Sequence, residues 1–178
     1  MSAQQAAESF TSITNSNVSS YGYCSVALGN DIKLSQVYSI IASMSVNLKC
    51  LKSTYFFQLE EVVGRKSNYE FIHNTLLSRL PISSLNIYRI QSEKEIEIAI
   101  SSYASFIRVW FQICRGEIPS FNIVLLSKNE YNRFKNHDNL CNKEEEEIIG
   151  TYYTEQDKNL YLRLNPVIFS KAKNIILI

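Results

Sequence analysis

The chain has 178 residues, a formal net charge of +1 and 46% hydrophobic residues, which is the size and apolar content of one globular domain. So balanced a charge excludes bulk attraction to nucleic acid or anionic membrane as the organising feature. The cysteines Cys24, Cys50, Cys114 and Cys141 are too widely spaced for a Cys-x-x-Cys metal pair or a dense disulfide framework, so reduced thiols and no cofactor are expected.

Residues 1–20 are mostly Ser, Thr, Asn, Gln and Ala, with Phe10, Ile13 and Val18 as isolated apolar points. A segment so poor in apolar surface is expected to stay mobile, and residues 1–34 read as a flexible polar arm before a single globular domain over 35–178. The arm carries no Lys or Arg over its first 30 residues and no apolar run, so no secretory leader is expected.

From Ser43 to Cys50 the apolar residues alternate, which predicts a half-buried strand. Thr54 is placed to cap a helix bearing Phe56, Leu59, Val62 and Val63 and ending at Gly64. Ser67 with Glu70 has the spacing of a capping box, followed by Tyr69, Ile72, Leu76 and Leu80 at helical intervals until Pro81. Alternation then predicts strands at residues 85–90, 95–100 and 107–113, and the apolar run 121–126 suits a central strand. Ser127 with Glu130 is a second capping box, opening a short helix around Tyr131 and Phe134. Residues 135–147 are polar and read as a loop; 149–153 and 160–164 read as a hairpin, which Pro166 ends. The tail Ile175-Ile176-Leu177-Ile178 is apolar enough to require burial, as an edge strand or against a partner. The fold class that follows is α+β: an antiparallel sheet packed against a few helices, with a flexible N-terminal arm.

The inventory for catalysis is thin. His73 sits in a capped helix and His137 in a polar loop, and neither has a partner that would make it a base. No nucleophile elbow, glycine-rich phosphate loop or metal motif is present. Glu144 to Glu147 read as solvated charges, and Glu95 with Glu97 as an exposed strand face. Arg108 and Trp110 could serve base stacking, but Trp110 fits a core or an interface better. The chain is therefore expected not to be an enzyme.

The stretch Ser43-Met44-Ser45-Val46-Asn47-Leu48-Lys49 leading into 54–80, together with the hairpin of residues 147–152 and 160–164, resembles the first strand, helical layer and terminal hairpin of rhabdovirus matrix proteins, particularly those of plant viruses. The resemblance covers about residues 36–165. It implies a virion structural protein that self-associates and bridges nucleocapsid and membrane, located in the virion and in host cytoplasm peripheral to membrane. Under it, Phe10, Ile13 and Val18 would dock on the next subunit. Lys49, Lys52, Arg65 and Lys66 would meet nucleocapsid or lipid, and Trp110 with Ile175, Ile176, Leu177 and Ile178 would be interface. The alternative is a small RNA-binding or host-interaction factor, such as a silencing suppressor.

Overall fold

The computed structural model describes residues 1–44, 49–136, 148–154 and 158–178. Its centre is a five-stranded sheet with β1 (Cys24–Leu28) in the middle. On one side of β1 lie β2 (Thr54–Gln58) and then β4 (Ile87–Tyr88); on the other lie β5 (Ile123–Leu126) and then β8 (Ile175–Leu177). Every pairing in this sheet is parallel. A second, antiparallel sheet is formed by β3 (Glu60–Val62), β7 (Asn159–Leu164) and β6 (Ile149–Thr154), in the order β3-β7-β6. The predicted fold class is therefore wrong: this is an α/β molecule built on a parallel sheet, not an antiparallel sheet with a few helices.

A parallel sheet is stable when both faces are covered, because its connections carry helices across it. The alternation of β1 and β5 supplies two apolar faces. Cys24, Val26, Leu28, Ile123 and Leu125 meet α1 (Ala3–Tyr21), α2 (Ser35–Met44) and α3 (Ser67–Thr75). Ala27, Val124 and Leu126 meet α4 (Ile96–Phe111), α5 (Lys128–Asn136), α6 (Ile168–Lys171) and the second sheet.

The expected flexible arm is instead α1 and the central strand. Ser2 and Gln5 form a reciprocal capping box, and Gly22 closes the helix in the left-handed conformation at φ 80°. Ala6, Ala7, Phe10, Thr14 and Asn17 recur every three to four residues and are buried against the sheet. Two alanines let the helix backbone approach closely, so a segment of low hydrophobicity still buries a continuous stripe.

Other expectations divide by register. The strand predicted from Ser43 begins within α2, which runs to Met44, and its residues 45–48 lie outside the described residues. The helix predicted from Thr54 is β2 followed by β3, whose Phe56, Phe57, Leu59 and Val62 are all buried. Two of the predicted strands, 95–100 and 107–113, belong to α4, where Ala99, Tyr103 and Ile107 fall on one buried face at four-residue spacing. The central strand at 121–126, the 149–164 hairpin and the edge strand at the tail are present.

Candidate functional site

In an open parallel sheet, ligands bind beyond the carboxyl ends of the strands where the winding reverses. Here β1 connects toward β2 and β4, and the chain then returns to β5 and β8 on the other side, so the reversal lies between β1 and β5. The loops meeting there are Gly29-Asn30-Asp31 and Ser127-Lys128-Asn129-Glu130.

Glu130 organises the place. Its Oε1 accepts the backbone N–H of Asn30 at 2.6 Å and of Asp31 at 2.9 Å. Its Oε2 accepts the N–H of Ser127 at 2.8 Å, while the Glu130 N–H donates to Ser127 Oγ at 3.0 Å. The latter two bonds are the capping box expected from the sequence, formed at the start of α5. The Asn30 and Asp31 bonds extend it across the switch point. Gly29 permits this approach: a Cβ there would lie 2.5 Å from Glu130 Oε2. Tyr38 fixes the same loop by donating its hydroxyl to the Gly29 carbonyl at 2.6 Å, and Ser127 Oγ–H donates to Asp31 Oδ2 at 2.6 Å. Burial pushes the Glu130 carboxyl up and Glu60 adds to that, while the N–H bonds from Ser127 and Asn30 and the charge of Arg133 oppose it.

A buried ionic cluster adjoins this loop. Glu60, fully buried at the start of β3, accepts Arg163 Nε at 2.8 Å and Arg133 Nη2 at 2.6 Å. The Arg163 guanidinium lies 4.1 Å from the centroid of Phe134 and 3.8 Å from that of Tyr152, and both its terminal nitrogens lack a hydrogen-bond partner among the described residues. Arg133 is only partly covered, its side chain 31% exposed, and so presents a positioned cation at the rim. Glu61, also buried, accepts the N–H groups of Asn68 at 3.0 Å and Tyr69 at 2.8 Å. It thereby caps α3 in place of the capping box expected of Ser67 with Glu70, for Lys66 occupies the cap and makes no side-chain capping bond. The arrangement offers an amide-rich loop for an oxyanion, a half-buried carboxylate in Asp31, and a cation in Arg133. Among the described residues, no group of three or more His, Cys, Asp or Glu is placed to hold a metal ion.

The residues singled out in the sequence lie elsewhere. Phe10 is fully buried in the chain's own core, with Ile13 and Val18 packed against it. Lys49 and Lys52 precede β2 at the amino end of the sheet, whereas Arg65 and Lys66 follow β3, so the four do not form one patch. Trp110 lies against Tyr23, Tyr55 and Phe57, each at 5.3 Å between ring centroids. Ile175, Ile176 and Leu177 form β8, and the Ile178 N–H donates to the Leu126 carbonyl. His73 is half-buried on α3; His137, Cys141 and Glu144 to Glu147 lie outside the described residues. Sequence reasoning passed over Gly29, Asn30, Asp31, Glu60, Arg133 and Arg163. The one available signal was the capping box at Glu130.

Comparison with solved structures is decisive for the fold. The 6-phosphogluconolactonase of Thermotoga maritima matches with a TM-score of 0.81 at 16% identity, over 98% of this chain and 78% of that one. The chain has the 6-phosphogluconolactonase fold. The Plasmodium vivax 6-phosphogluconolactonase matches with a TM-score of 0.76 at 16% identity, over 98% and 71% of the two chains. A monomeric glucosamine-6-phosphate deaminase matches at 0.74 with 11% identity, over 99% and 78%. No protein-family model and no curated protein sequence matches the chain.

These neighbours overturn the matrix-protein resemblance and what depended on it. A structural role in virion assembly, a silencing-suppressor role, nucleocapsid and membrane as partners, and a virion or membrane-peripheral location all fall with it. The expectation that the chain is not an enzyme is corrected too, since the solved structures sharing its fold are enzymes. Among the described residues, no helix is long and apolar enough to cross a membrane.

Proposed function

We propose that this chain is an enzyme of sugar-phosphate metabolism that binds a phosphorylated sugar at the switch point between β1 and β5, with hydrolysis of a sugar-phosphate lactone as its reaction. The observation that carries this reading is a carboxylate seated on the backbone N–H groups of Asn30, Asp31 and Ser127, which marks an oxyanion position where a parallel sheet binds ligands. The fold shared with 6-phosphogluconolactonases and a glucosamine-6-phosphate deaminase supports the substrate class.

In this reading Arg133, held by Glu60 through one nitrogen and open at the rim, contributes charge to phosphate recognition. Asp31 is the half-buried carboxylate at the mouth and would take the proton from the water that attacks the lactone carbonyl. Its orientation is set by Ser127 Oγ–H on Oδ2 and by the Lys33 N–H on Oδ1 at 3.0 Å. The test is hydrolysis of 6-phosphogluconolactone, measured against its spontaneous rate. Catalysed opening that drops about 100-fold or more in D31N, the scale of a lost general base, supports the reading. Turnover indistinguishable from the spontaneous rate, with no binding of 6-phosphogluconate, overturns it.

A further inference from the structure

Glu130 does more than a helix cap requires. The capping box alone needs the Ser127 N–H and Ser127 Oγ, both within its own helix start. The same carboxylate also takes the Asn30 and Asp31 N–H groups, from a loop a hundred residues away in sequence. Those two amides are donors that the β1 loop would otherwise direct to a ligand oxyanion. They are engaged by a side chain that is 4% exposed.

Charges of both signs surround it. Glu60 faces Glu130 from β3 and is already paired with Arg133 and Arg163. Asp31 stands across the loop, bonded to Ser127 Oγ–H, and Tyr38 approaches from α2 with its hydroxyl on the Gly29 carbonyl. Lys33 and Lys128 are exposed at the mouth. Glu130 thus adds a further carboxylate to a site with two others, and Arg133 is the cation that acts on it.

We propose that Glu130 is an internal anion that closes the switch-point loop, and that a phosphorylated ligand reaches the Asn30 and Asp31 amides by displacing it. This rests on the sugar-phosphate reading above and adds a competition inside the site. The ligand must exceed the hydrogen bonds it replaces, so affinity is lowered by the fraction of molecules in which the loop is closed. When displaced, the Glu130 carboxylate gives up the Asn30, Asp31 and Ser127 N–H groups, while Ser127 Oγ still accepts the Glu130 backbone N–H and donates to Asp31.

Titration calorimetry of 6-phosphogluconate, and separately of inorganic phosphate, against the full chain and its E130Q and E130A variants tests this. E130A should bind the sugar phosphate about tenfold tighter than the unmodified chain, the scale of one charge-assisted hydrogen bond regained. E130Q should fall between them, since its amide oxygen can still accept the loop N–H groups. Because E130Q keeps an acceptor for the helix cap, it carries the test if E130A does not fold; circular dichroism and a cooperative thermal transition check both. Equal or weaker binding by folded variants, when the unmodified chain binds, overturns the closure and leaves the sugar-phosphate reading standing. No binding by any of the folded proteins overturns that reading, and the closure with it.

Discussion

Gly29 and Glu130 depend on one another, because the carboxylate fills the space that a side chain at position 29 would need. A methyl group at Gly29 would sit 2.5 Å from Glu130 Oε2 and 2.9 Å from Oε1, so G29A must push the carboxylate off its loop or shift the loop itself. Overpacking of this kind typically costs about 1–3 kcal/mol, and urea unfolding should show it. In an E130A background the obstacle is gone, so the same substitution should cost less; an equal cost in both backgrounds would show that the two do not interact. Glu60 makes the second residue-scale prediction. Removing it leaves Arg163 buried and uncompensated between Phe134 and Tyr152, so E60A should cost about 3–5 kcal/mol in the same measurement. A loss below about 1 kcal/mol, the size expected of a surface pair, would contradict that role.

At the scale of elements, α1 is the segment whose importance is least visible in its composition. It covers one face of the central sheet through Ala6, Ala7 and Phe10, and Asn17 accepts the Asn122 amide at 2.8 Å. Asn122 in turn accepts the Ser25 N–H at 2.9 Å, so α1 is tied by a buried polar chain to the strands it covers. Deleting residues 1–21 should therefore abolish cooperative thermal unfolding and expose apolar surface to a dye. An unchanged transition would mean that the helix is dispensable.

What the sequence made legible follows from how local each determinant is. The capping box at Ser127 and Glu130, the apolar run into β5 and the hairpin of β6 and β7 are set by residues within a few positions of each other, and all formed. The α4 segment misled because Ile96, Ile98 and Ile100 satisfy alternation, while the four-residue spacing of Ala99, Tyr103 and Ile107 decides the structure. β2 misled in the opposite sense: Phe56 and Leu59 have helical spacing, but the parallel pairing with β1 is non-local. The site is harder still. Glu130 meets Asn30, and Glu60 meets Arg163, across separations of about a hundred residues that no local pattern encodes.

Taken whole, the molecule is a doubly covered parallel sheet whose winding reverses between β1 and β5, with a smaller antiparallel sheet set beside the carboxyl end of β2 through Leu59. That geometry concentrates loop amides, a half-buried Asp31 and a cation in Arg133 at one edge. The fold is shared with enzymes of phosphorylated sugars, yet the amides of the β1 loop are taken up by the chain's own carboxylate. Ligand binding at the switch point has a direct local reporter. Amide chemical shifts of Asn30, Asp31 and Ser127, followed by heteronuclear NMR during titration with 6-phosphogluconate, should move first and furthest in a saturable manner. If those three amides stay fixed while the ligand is present in excess, or if shifts gather at the amino end of the sheet instead, the switch point is not the binding site.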